Sequence, residues 1–237
     1  TDAFDLKRTN LFDKGLTSIV SIGLSDRRLP DGSMVIDFSP GGISDWSFTR
    51  LTIEDKFEKK TKFFGARNRN ILGWIWSDTK GVPVQERFTV EGAGSATMLQ
   101  KGYLRDASSF YGDFDLRNQY HLPGDANLRA FGNQNFTGVE EVFSNSFEYF
   151  IHKRIGSFSA EVAAFVDYGI LSGSKFELND QLFDNTSLMN YGFGLRLSTN
   201  LFGQPLYLRF DKPIDATVDD KSINIMNEWI FSFQKAI

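Results

Sequence analysis

The chain contains no cysteine, which excludes disulfides, thiolate nucleophiles and cysteine-ligated metals. Histidine is nearly absent as well. His121 and His152 are the only two, and neither belongs to an H-E-x-x-H zinc motif. There is no G-x-S-x-G nucleophile elbow. The glycine-rich Glu91-Gly92-Ala93-Gly94-Ser95 lacks the strand–turn–helix context of a phosphate loop. Asp113 with Asp115, and Glu140 with Glu141, read as solvated charge rather than as acid–base pairs. An enzyme is not expected, and no metal or cofactor is implied. An excess of positive charge is also missing. Lys and Arg number 26 against 30 Asp and Glu, for a net charge of −4, so nucleic acid is not an expected partner. No run approaches the ~20 apolar residues of a spanning helix, and mean hydropathy is −0.27. A β-barrel escapes that test, because its alternate residues face water. The sequence begins at Thr1 without Met or a secretory signal, as expected of a mature form or a fragment.

What is present is phenylalanine and alternation. Aromatics make up 15% of the chain, and 24 of them are Phe; such residues favour strands and bilayer interfaces. Val20, Ile22 and Leu24 form one apolar stripe, and Met34, Ile36 and Phe38 the next, around the turn from Asp26 to Gly32. Segments from Trp46 to Phe57 and from Lys62 to Trp76 flank a turn at Glu58-Lys59-Lys60-Thr61. Both exceed the ~5–6 residues of an ordinary strand and suit the ~9–11 of a membrane strand. Residues 79 to 142 break the rhythm as one long polar loop. Alternation then returns in Phe147, Tyr149 and Ile151 opposite Glu148, and from Phe158 to Tyr168. It continues from Tyr191 to Ser198, from Leu206 to Asp211 and from Trp229 to Phe233.

Between Phe158 and Tyr168 the even positions are Phe, Ala, Val, Ala, Val and Tyr, while the odd ones include Glu161, Phe165 and Asp167. One face suits lipid and the other carries carboxylates, as in a strand of a transmembrane barrel. About nine strands are expected, five after the loop. A soluble β-sandwich or ligand-binding barrel also alternates, with its apolar face inward. Two features weigh toward the membrane. The polar faces carry large charged groups (Glu148, Glu161, Asp167, Arg196, Arg209, Asp211), and Trp, Tyr and Phe cluster near strand ends. Trp46, Trp74, Trp76 and Trp229 are candidate interface anchors.

Four segments, in order, carry a family resemblance. Gly124-Asp125-Ala126-Asn127-Leu128-Arg129-Ala130-Phe131 is followed by Ser146-Phe147-Glu148-Tyr149 and by Phe165-Val166-Asp167-Tyr168-Gly169. The fourth runs from Tyr191-Gly192-Phe193-Gly194-Leu195-Arg196-Leu197 through Gly203-Gln204-Pro205 to Pro213-Ile214, ahead of a closing strand with Trp229, Phe231 and Phe233. The set resembles the C-terminal barrel of the BamA-type outer-membrane superfamily, the bacterial surface-antigen family. That family includes assembly insertases, two-partner secretion translocators and barrel anchors of fused passenger domains. The first segment is similar to the family's lumen-loop motif, the third to its F-x-D-x-G strand, and the closing strand to its assembly signal. Pro83 to Gly94 is similar, more loosely, to a further family segment. Asp125 and Ala130 depart from the family's glycines.

The resemblance implies one all-β outer-membrane barrel domain over residues 1–237, with about 9–12 antiparallel strands visible and 79–142 folded into the lumen. Because the family usually has roughly sixteen strands, the chain would be the C-terminal part of a larger barrel or would close a smaller one. Arg129 is expected to enter the lumen and meet Asp167, with Glu148 nearby and Phe131 packed beside it. Strand parity places Glu148 and Asp167 on polar faces independently. Gly169, Gly192 and Gly194 are expected to admit close approach of a neighbour. The function implied is outer-membrane protein assembly, insertion or translocation. The alternatives are a membrane anchor for an N-terminal passenger, such as a hydrolase or peptidase, and a soluble β-barrel binding an apolar ligand. The expected location is the bacterial outer membrane. Expected partners are its lipid and lipopolysaccharide and other outer-membrane or periplasmic subunits.

Overall fold

A computed structural model describes residues 13, 15–26, 32–90, 125–126, 128–131, 139–172, 176–178, 181–183, 185–201, 204–223 and 229–235. The described residues are all-β apart from a single 3-10 turn, Val84–Glu86. Strands β1 (Val20–Asp26), β2 (Gly32–Ser39), β3 (Phe48–Lys60) and β4 (Phe64–Ser77) precede the long loop. After it come β5 (Glu141–Ile155), β6 (Phe158–Ser172), the small hairpin β7 (Phe176–Leu178) and β8 (Gln181–Phe183), then β9 (Thr186–Leu201) and β10 (Gln204–Val218). The last are β11 (Lys221–Ser222) and β12 (Ile230–Lys235). Ten of the twelve form one antiparallel sheet in the order β1-β2-β3-β4-β5-β6-β9-β10-β11, with β12 also on β10. Most strands pair with their neighbour in sequence, the topology that short connections favour; the exceptions are β6, which pairs with β9 past the β7–β8 hairpin, and β12, which pairs with β10 past β11.

Two features differ from the sequence reading, and a register shift in β10 adds a third that alternation does not address. The β3–β4 pairing runs through Glu58-Lys59-Lys60 to Lys60↔Gly65, where a turn is expected. Charge explains it. Glu58 faces Arg67 across the ladder, with Arg67 Nε 3.4 Å from its carboxylate, and Lys60 Nζ lies 2.7 Å from Glu58. Opposite charges on facing strands extend the sheet beyond the apolar stripe. The turn falls instead at Thr61, whose backbone N–H donates to the Phe64 carbonyl at 2.7 Å. Next, Ala216 and Val218 stay on the buried face because the β9–β10 register shifts between Pro213 and Asp215. Finally, closure into a barrel is not seen. Among the described residues β1 and β12 pair on one side only, so the sheet is open.

The two faces of the sheet differ: the exposed one is largely apolar, and the covered one mixes charged side chains with apolar ones such as Ile71, Ile75, Phe150 and Leu171. On β5, β6 and β9, alternate residues are buried and exposed along almost the whole strand. The exposed set is apolar: Phe143, Phe147, Tyr149 and Ile151 on β5, and Val162, Val166, Tyr168 and Ile170 on β6. Met189, Tyr191 and Phe193 continue it on β9, and Leu72, Trp74 and Trp76 on β4. The buried set holds the charges, including Glu148, Asp167 and Asp211. Aromatic pairs mark both ends of the apolar face. Trp74 and Trp76 stack at 5.8 Å toward one end, and Phe64 and Tyr149 at 6.3 Å toward the other. The long loop covers the charged face. Its described parts are stitched by backbone bonds, Phe88 to Val139 in both directions, Ala126 N–H to Thr89 and Leu128 N–H to Val90. Val82, Phe88, Val90, Leu128, Phe131 and Val139 pack there with Ile71, Val142, Leu171 and Leu188 of the sheet into one apolar cluster.

Candidate functional site

The register of the sheet builds the site in rows. Ser146, Asp167 and Asn190 lie directly opposite one another on β5, β6 and β9. The neighbouring row is Arg67, Glu148, Phe165 and Gly192 on β4, β5, β6 and β9. The loop delivers Arg129 onto these two rows. The side chain of Arg129 is wholly buried. Its Nε donates to Asp167 Oδ2 at 2.7 Å and its Nη1 to Glu148 Oε1 at 2.7 Å. Its Nη2 donates to Asp167 Oδ1 and, at 3.1 Å, to Ser146 Oγ. The guanidinium also lies 3.6 Å above the centre of the Phe165 ring, a cation–π contact in a desolvated place. A planar fork with five donors suits this geometry; a lysine would reach only part of it.

Burial by itself would push the Arg129 pKa down. The carboxylates of Asp167 and Glu148, with Asp211 behind them, outweigh that and raise it, so the charge is permanent. Asp167 is completed by the Ser146 hydroxyl at 2.6 Å and the Asn190 amide at 3.0 Å. Glu148 is shared more widely. Besides Arg129 it accepts from Arg67 at 3.2 Å, Arg209 at 2.7 Å, and Arg196 at 2.5 and 2.7 Å. Arg209 also bonds Asp211, and Arg67 reaches Glu161 at 2.5 Å. Arg67, Arg129, Arg196 and Arg209 are thereby balanced by Glu148, Asp167, Asp211 and Glu161. Such a network is tolerable in low dielectric only while its charges stay paired.

The arrangement orders the loop on the sheet through paired charges. Arg129, Glu148 and Asp167 come together as the sequence reading expects. Phe131 is buried beneath the loop in the apolar cluster, whereas the ring under the guanidinium is Phe165. Gly169 admits the loop: a Cβ there would sit 2.6 Å from Leu128 Cδ1. Gly194 does something different from admitting a loop, since a Cβ would collide with the carboxylate of Asp211. Trp229 is exposed and meets Phe193 edge-on at 5.3 Å. Phe231 and Phe233 pair through β12 with Phe210 and Leu208 of β10, and their side chains lie outside the described residues.

Sequence reasoning missed Ser146 and Asn190, although both share the parity of the carboxylates. It also treated Asp125 only as a departure from glycine. Asp125 accepts from the Thr89 N–H at 2.8 Å and from the Thr89 hydroxyl at 3.2 Å, and lies 3.3 Å from Arg50. A carboxylate here ties the start of the loop to its end and to β3. Glu140 of the suspected acid pair is ion-paired with Arg87 at 3.5 Å. His121, Asp113, Asp115 and residues 91–95 lie outside the described residues. No protein-family model, curated protein or solved structure matches the chain.

Proposed function

We propose that this chain is a BamA-type barrel of the bacterial outer membrane that takes part in assembling, inserting or translocating outer-membrane proteins. The observation that carries the reading is the inverted sheet: apolar residues on the open face, a paired charge network on the covered one. A soluble sheet buries its apolar face, whereas a membrane barrel turns it to lipid.

Strand length agrees. β3, β4, β5, β6, β9 and β10 run 13 to 16 residues, against the ~9–11 needed to cross a bilayer with tilt. The ends of the sheet are unequal. Connections 27–31, 61–63, 156–157 and 202–203 are short and share one end, while 40–47, 78–140, 173–185 and 219–229 are long and share the other. Outer-membrane barrels have short periplasmic turns and long extracellular loops, so the long end would face outward. In hydrocarbon a free strand edge is not sustainable. The edges at β1 and β12 would pair with each other or with further strands. Partners on this reading are outer-membrane lipid, lipopolysaccharide and other subunits of the assembly or secretion apparatus. The chain itself would not be catalytic.

One observation favours a second role, that of a membrane anchor for a passenger domain. Leu128, Arg129 and Phe131 are fully buried over the covered face, so in a closed barrel the loop would fill the lumen rather than line a conduit. Membrane fractionation of cells expressing the full-length gene, with an SDS gel run before and after boiling, tests the proposal. A membrane band whose mobility shifts on boiling is expected. A soluble, detergent-independent product would sink it and leave a soluble barrel for an apolar ligand.

A further inference from the structure

The open face is largely apolar, with Lys212 and Asp215 on it opposite Phe193 and Tyr191 of β9; a hydrogen-bonded polar patch lies on β3, β4 and β5. Asp55 of β3, Asn70 of β4 and Asn145 of β5 lie in a single row across the sheet, with Tyr168 of β6 next in line. Asn68 stands two residues from Asn70 on the same face. These side chains are linked edge to edge. Asn70 Nδ2 donates to Asn68 Oδ1 at 2.7 Å and reaches Asp55 Oδ2 at 3.4 Å, while Asn145 Nδ2 donates to Asn70 Oδ1 at 2.6 Å. The patch sits well inside the strands: Asn70 is near the middle of Phe64–Ser77. It is flanked by exposed Ile53, Phe57, Leu72 and Phe147.

We infer that this ladder is a docking surface, within the membrane, for a different protein whose apposed segment presents a lysine or arginine to Asp55. The inference rests on the reading that the open face meets lipid. Polar groups at membrane depth are costly and mark contacts or functional sites. The ladder joins its members to one another but leaves the Asp55 carboxylate without a basic partner among the described residues. Asn68 enters the ladder as an acceptor, through its Oδ1. Charge decides against a second copy of the chain. A two-fold axis along the membrane normal brings equal depths together, and an axis through the ladder would set Asp55 beside another Asp55. A basic side chain from a different polypeptide satisfies the carboxylate and excludes lipid from the amides.

The test uses the full-length gene expressed in its own cells, with a photo-crosslinking phenylalanine analogue at Phe57 and, as control, at Val162 on β6. Both positions are exposed on the same face, but Val162 is remote from the ladder. We expect an adduct with another protein at Phe57 and none at Val162. It should fall at least tenfold with Asp55→Lys and persist with Asp55→Glu, the heat-modifiable band being retained throughout. The peptide joined to Phe57 should contain a lysine or arginine. An adduct of twice the chain's mass would overturn the inference in favour of self-association. So would no adduct, or one indifferent to Asp55→Lys, in a protein that still shifts on boiling. Loss of the shift in the unsubstituted protein would overturn the membrane reading, and the inference with it.

Discussion

Replacing Arg129 by alanine removes the only cation among the described residues that touches Asp167, and the consequences can be worked from the contacts. Glu148 keeps Arg67, Arg196 and Arg209, so it stays compensated. Asp167 keeps the Ser146 hydroxyl and the Asn190 amide but no charge partner, in a position with no solvent exposure. Breaking a buried pair from one side costs ~3–5 kcal/mol, and most of that should come from Asp167. Asp167→Ala strands the guanidinium on Glu148 alone, with Asp211 at 3.8 Å, and should cost a similar amount. With both partners gone neither charge is orphaned, so the double variant should cost little more than either single one. The coupling should then be close to either single loss, at or above the ~3 kcal/mol upper range for groups in one network. The assay is urea unfolding of the protein refolded in lipid vesicles, followed by loss of the fast-migrating gel band that the proposed barrel would give. Additive losses would refute the pairing, whatever their size.

The other predictions concern the loop and its seat. Gly169→Val places its branch against Leu128 and should cost about 1–3 kcal/mol by overpacking; Leu128→Ala should recover part of that in the same unfolding assay. Gly194→Ala should displace Asp211, and its loss of stability should shrink when Asp211→Ala is added, as a double-mutant cycle would report. Glu86, in the loop, is held above the ordinary carboxylate range: burial penalises its charged form and Asp37 adds to this, with Arg50 opposing. Its stabilisation is therefore present below the ordinary Glu pKa of about 4.3 and is lost as pH rises through the higher folded value. Glu86→Gln should match the parent near pH 4 and exceed it near neutrality, measured as the unfolding midpoint against pH; a gap that widened toward low pH would contradict this.

Much of the site was legible because the pleat has period two. Alternation assigns Glu148 and Asp167 to polar faces, and the resemblance of the segment around Arg129 to the family's lumen-loop motif supplies the cation expected to meet them. Ser146 and Asn190 obey the same parity, but a serine and an asparagine carry no charge to draw attention, and their role depends on the cross-strand register. Phe165 was hidden for the opposite reason. An aromatic on a charged face looks like a lapse in alternation until a guanidinium is placed above it, and Gly192 across the ladder leaves its ring room. The end of β3 was missed because Glu58, Lys59 and Lys60 look like a turn, whereas facing charges hold them in the ladder. Asn68, Asn70 and Asn145 were invisible as a group. They fall on two strands more than seventy residues apart and meet only because β4 pairs with β5 across the long loop. Whether the sheet closes cannot be read from alternation at all, since an edge strand and a central strand show the same pattern.

The central claim is that the open apolar face lies against acyl chains. Trp74 and Trp76 sit on that face and are 42% and 50% exposed, which makes them native reporters. In a Trp46→Phe, Trp229→Phe background they would be the only indoles. The direct measurement is their fluorescence in vesicles whose acyl chains carry bromine, against the same vesicles without it, on protein that keeps its boiling-dependent gel shift. Strong quenching with blue-shifted emission is the predicted result. Water-like emission that bromine leaves unchanged, from protein that is folded, would contradict the account.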